Sequence, residues 1–111
     1  MQQLLKRKEY LYMKYYSSYV NHMLRFYARY RDKNLECFKK STDVKNWLAV
    51  KAVLDKLPER DKNIIIEVYR RRDTLADNIY EVSKEFGINQ DVIWTMLNKV
   101  TKKIAQERGL I

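Results

Sequence analysis

The sequence predicts an all-α protein, with a long N-terminal helix followed by a second helical unit. Three observations carry this. The 111 residues include only two glycines and one proline, which leaves little material for hairpin turns. Strong helix formers fill most windows. Apolar residues recur at steps of three and four, not two.

The first helix is expected over about residues 3–31. Tyr12, Tyr16, Tyr19, Met23, Phe26 and Tyr30 lie on one stripe, which Leu4, Leu11, Val20, Leu24 and Tyr27 widen. A tyrosine buries its ring while its hydroxyl reaches water or a polar partner, so this face suits a core rim or an interface. The polar stretch "RDKNLECFKKSTD" holds a break, although Leu35 and Phe38 are able to extend the helix. Residues 1–42 thus form a basic, tyrosine-rich segment, and residues 43–111 a separate helical domain.

Thr42 or Asp43 is the expected N-cap of the next helix, "VKNWLAVKAVLDKL". Its apolar face is Trp47, Val50, Val53, Leu54 and Leu57. Pro58 stops it and suits the first turn of "PERDKNIIIEVYRRR". Glu59 and Asp61 lie near that helix's positive start, and Arg70, Arg71 and Arg72 near its negative end. After "DTLADN" comes "IYEVSKEF", with Asp77 or Asn78 as the expected cap. "GIN" then leads into "QDVIWTMLNKVTKKIAQER", and Gly109 stands where a left-handed C-cap belongs.

A glycine inside a helical pattern costs roughly 1 kcal/mol relative to alanine, so Gly87 marks something. Two short helices joined by a glycine-containing turn make a helix-turn-helix. The apolar residues fit that arrangement. Val82 and Phe86 precede Gly87 on an inner face with small Ser83 between them, Ile88 follows, and Ile93, Met96 and Leu97 face inward beyond it. Asn89 is a natural N-cap. Gln90, Asp91, Trp94, Thr95 and Asn98 are left on or beside the outer face. The plainer alternative is a helical hairpin whose glycine is only a C-cap.

Charge narrows the partners. The net charge of +9 suggests a polyanion. Residues 1–57 carry 13 Lys/Arg against 5 Asp/Glu, and residues 58–111 carry 10 against 9, so the excess lies in the first half. Cys37 and His22 are the only residues of their kinds, which excludes an internal disulfide and gives no ligand set for a metal. The N-terminus lacks the order of a signal peptide, and the charge-free run Tyr15 to Leu24 is too short to span a bilayer. A cytoplasmic protein without membrane contact is expected. No phosphate-cradling glycine loop and no nucleophile with its base is recognisable, so no catalytic residue, enzyme activity or cofactor is expected.

"VLDKLPERDKNIIIEVY", followed some ten residues later by the helix-turn-helix, resembles region four of bacterial sigma factors. The residues that carry the resemblance are Leu54, Leu57, Pro58, Glu59, Arg60, Ile64, Ile65, Tyr69, Leu75, Ile79, Val82, Phe86, Gly87, Ile88, Val92 and Leu97. It covers about residues 50–108. The first half does not look like the sigma region that melts promoters, Ser83 replaces the usual small residue, and the "RRRDTLADN" link is longer and more basic. In size and basic N-terminal segment the chain looks more like the small sigma-like transcription regulators of Gram-positive phages and mobile elements, of which the ArpU type is one.

The resemblance implies a sequence-specific regulator of transcription that binds double-stranded DNA and also engages RNA polymerase. It places the helix starting at Gln90 in the major groove. Gln90 and Asn98 would then pair with adenine edges, Thr95 would touch a thymine methyl, and Asp91 would accept from cytosine or simply favour the helix start. Trp94 is either a DNA contact or, more in keeping with its burial preference, a core residue. Arg70, Arg71, Arg72, Lys99, Lys102 and Lys103 are the candidate phosphate contacts. Residues 77–107 carry four Lys against five Asp/Glu, so the N-terminal segment must help in binding.

That segment is open to three readings. It packs on its own chain, it forms a homodimer face through Tyr12, Tyr16, Tyr19, Met23, Phe26 and Tyr30, or its tyrosines stack on bases. Two rival functions remain as well: a protein-binding adaptor gripping RNA polymerase or another transcription or replication protein, and a phage DNA-packaging small subunit.

Overall fold

A computed structural model describes the backbone of residues 2–111 and the side chains from residue 16 onward. It is all-helical. The helices are α1 (Gln2–Tyr30), α2 (Ser41–Leu54), α3 (Glu59–Arg70), α4 (Leu75–Phe86) and α5 (Gln90–Arg108), with a single 3-10 turn at Leu35–Cys37 between the first two. The expected Tyr12 contact lies outside the residues with described side chains.

One core unites all five helices. Val20, Met23, Leu24 and Tyr27 of α1 join Val50 and Leu54 of α2, Ile64, Ile65 and Val68 of α3, Ile79 and Val82 of α4, and Ile93, Leu97 and Ile104 of α5. α5 runs through the middle and touches every other helix. Polar contacts help fix α1 against the rest. The Tyr69 hydroxyl donates to Asn21 Oδ1 at 2.7 Å, and burial pushes that hydroxyl's pKa well above the usual tyrosine range. Asn46, on α2, donates to the Tyr19 hydroxyl at 3.0 Å and accepts from Arg108 Nε at 2.7 Å.

The stripe considered for a dimer seam is therefore largely spent inside the chain. Tyr16 and Met23 are buried, and Phe26 and Tyr30 are half-buried. Tyr19 alone of the described set stays exposed, at 38%, with its hydroxyl bound to Asn46. A side chain enclosed by its own core has no surface left for a second copy.

The connection after α1 does not extend that helix. Phe38 turns back onto Phe26, with ring centres 5.1 Å apart, and onto Trp47 at 6.3 Å. Trp47 Nε1 donates to the Tyr30 carbonyl at 3.3 Å and so satisfies one of the carbonyls left over at the end of α1. Leu35 also packs against the core.

Two caps differ from the sequence expectation. α2 begins at Ser41, with Lys40 at the cap position and no side-chain cap bond, so neither Thr42 nor Asp43 serves. With Phe38 anchored, the extended Phe38–Lys40 segment enters the helix a turn early. α4 begins at Leu75 and is capped by Thr74, whose Oγ1 accepts from the Asp77 amide at 3.2 Å. Leu75 and Ile79 both pack inward four residues apart, which pulls the helix start ahead of Asp77 and buries Asn78. No helix among the described residues is long and apolar enough to cross a membrane.

Candidate nucleic-acid interface

α4 and α5 are joined by Gly87, Ile88 and Asn89. Gly87 has φ +64°, in the left-handed region that an L side chain enters only at a cost. Its amide bonds to Lys84 O at 3.3 Å, and the Ile88 amide reaches back to Ser83 O at 3.0 Å, the six-to-one closure of a Schellman motif. Asn89 then caps α5, its Oδ1 accepting from the Asp91 amide at 2.9 Å. Ile88 and Phe86 pack on the core and hold the turn down. Gly109 ends α5 in the same left-handed way, with Leu110 N bound to Ala105 O at 2.8 Å.

This turn sorts the residues of α5. Ile93, Leu97, Val100, Ile104 and Ala105 are buried. Gln90, Asp91, Thr95 and Lys99 are exposed, as are Lys102 and Lys103. Asp91 sits in the first turn, where a carboxylate complements the helix dipole. Trp94 is half-buried and packs against the core. Asn98 departs from its expected role, because it is half-buried with Oδ1 enclosed and without a hydrogen-bond partner. Placed so, it does not present both amide atoms to a base edge. The cause is the helical angle, which puts position 98 on the flank of the buried face.

The outer face is not purely polar. Val92 is half exposed at 50%, and with Met96 and Leu57 it gives an apolar floor to a groove of about 430 Å³. Asp61, Asp91, Thr95, Lys99 and Lys103 also line it. On the solvent side of α4, Lys84 lies over the Tyr80 ring at 4.4 Å.

The three consecutive arginines differ sharply from one another. Arg70 grips Glu67 through Nε at 2.9 Å and Nη2 at 2.6 Å. Arg71 ties α3 to α4, reaching Glu67 at 3.2 Å and Glu85 at 2.6 Å, and its side chain is only one-fifth exposed. It is thus occupied as a strut, not free for phosphate. Arg72 is exposed and has no ion-pair partner among the described residues. Arg70 holds the Glu67 carboxyl below the usual range against the opposing effect of burial, and Arg71 does the same to Glu85.

Both carboxylates have lower pKa values folded than unfolded. Their contribution is therefore present above the ordinary glutamate range, about 4.3, and is lost as pH falls through the depressed folded values. Acid titration of stability should accordingly show a steeper decline below that range in the native chain than in an Arg71→Met variant. The check is urea denaturation at a series of pH values.

Sequence reasoning missed Arg25 and Arg29, which line a cleft together with Arg70, Arg71 and Arg72. The one available signal was the positive excess of the first half, since no local motif marks them. Among the described residues no cluster of His, Cys, Asp or Glu is placed to hold a metal ion. No protein-family model, curated protein or solved structure matches the chain.

Proposed function

We propose that the chain is a sequence-specific, double-stranded DNA-binding regulator of transcription of the sigma-like kind, with α4 and α5 as its helix-turn-helix and α5 as the reading helix. What supports this most is the left-handed turn at Gly87. It buries Ile93 and Leu97 while leaving Gln90, Asp91 and Thr95 in solvent at the start of α5. Those are the positions from which a recognition helix contacts base edges. Gln90 pairs with adenine and Thr95 meets a thymine methyl, while Lys99, Lys102, Lys103 and Arg72 serve phosphates. Arg70 adds a phosphate contact on its exposed side, and Asn98 is left out of the reading set.

The test is binding to duplexes selected from a random pool. The full chain should enrich a short motif, and Gln90→Ala should bind that motif about tenfold more weakly, ~1.4 kcal/mol, with unchanged folding.

The adaptor reading is favoured by one observation, the apolar floor of Leu57, Val92 and Met96 beside the α5 face. An RNA polymerase subunit or another transcription protein would be its occupant. Co-purification of polymerase with no enriched duplex would select that reading.

A further inference from the structure

Arg25 and Arg29 stand one turn apart on α1 and face the end of α3 across a cleft of about 620 Å³, whose other charged walls are Arg70, Arg71 and Arg72. Among the described residues, Glu67 and Glu85 are the only carboxylates paired with these side chains, so five guanidiniums face two carboxylates and three positive charges are left over. Arg25, Arg29 and Arg72 have no ion-pair partner among the described residues. This surplus of exposed positive charge along one cleft favours an anionic ligand there.

We infer that this cleft binds the sugar–phosphate backbone of duplex DNA as a second contact, separate from the reading face of α5; this rests on the DNA-binding function proposed above. Guanidinium forks match phosphate oxygens in pairs. The rest of the lining is Ala28 and Tyr69, and the Tyr69 hydroxyl is already given to Asn21. The donors left there are the guanidiniums, which hold a phosphate backbone whatever its sequence.

Position favours duplex DNA over other polyanions. Arg72 lies two residues before Thr74, the cap of α4, and the first helix of a helix-turn-helix crosses the DNA backbone. A strand passing the start of α4 would lie beside Arg72, one wall of the cleft. The cleft also brings the positive charge of the first half of the chain to a partner that the near-neutral second half binds weakly by itself.

The experiment uses the full chain and a short random-sequence duplex, followed by fluorescence anisotropy between roughly 50 and 200 mM salt. With two phosphate contacts removed, Arg25→Gln/Arg29→Gln should flatten the slope of log affinity against log salt by about two, so that affinity falls about tenfold less over that range. Arg25→Lys/Arg29→Lys should keep the slope, and circular-dichroism melting should match the native chain for both. An unaltered slope in the glutamine variant, while Gln90→Ala still weakens the selected motif, overturns the cleft and leaves the reading face standing. Failure of the native chain to bind any duplex at low salt overturns both. Binding to single-stranded RNA in preference to the duplex, lost with the two arginines, overturns the assignment to DNA.

Discussion

Asn78→Leu is expected to destabilise the fold by about 3 kcal/mol, a loss tied to buried backbone carbonyls that lose their donor. Asn78 is 2% exposed, and its Nδ2 lies 2.9 Å from Val68 O, 3.1 Å from Arg71 O and 3.2 Å from Asp73 O. α3 ends at Arg70, so its final carbonyls have no amide of their own helix to accept from. A side chain from α4 supplies the donors instead, and one amide thereby closes α3 and fixes the angle at which the next helix leaves. Leucine keeps the volume and removes both N–H groups. Asn78→Asp should be worse at neutral pH, because it turns a carboxylate toward carbonyl oxygens. Urea denaturation measures both, and a loss under about 1 kcal/mol for the leucine variant would show that water replaces the amide.

Gly87→Val is expected to cost about 2 kcal/mol, and for a different reason. A Cβ built at Gly87 meets nothing within 4 Å, so the space around it is open and the penalty comes only from φ +64°. A β-branched residue tolerates that conformation least, whereas asparagine enters it more readily. Gly87→Asn should therefore keep at least half of the lost stability. The valine variant escapes strain only by reshaping the turn, which moves α5 relative to α4 and should weaken duplex binding along with the melting temperature. A valine variant that melts with the native chain would contradict the strain.

The contrast between these two positions explains what the sequence reveals. Gly87, Asn89 and Gly109 act on residues within six positions of themselves, and their chemistry is specific to turns, so the α4–α5 connection and the end of α5 are legible from the string alone. Asn78 reaches back as far as Val68, ten residues away, and its type suits an N-cap as well as a buried clasp. Only the inward pull of Leu75 and Ile79 decides between the two.

Charge was legible as a total and not as a pattern. Arg71 reaches Glu85 fourteen residues away, while Arg25 and Arg29 meet Arg70 across a helix–helix seam. Such pairings depend on how α1 and α4 lie on α3, which no window of neighbouring residues encodes. The tyrosine stripe was legible as a buried face, but its partner was not. Periodicity shows that a face is apolar and is silent on whether its own chain covers it.

We propose above that the exposed start of α5 reads duplex DNA. The most direct measurement compares native and Gln90→Ala chains for binding to the motif selected from random duplexes and to a scrambled duplex of equal length. Reading by α5 requires about a tenfold loss on the motif, none on the scrambled duplex, and equal melting temperatures. Equal losses on both duplexes, or no motif enriched at low salt, would contradict it.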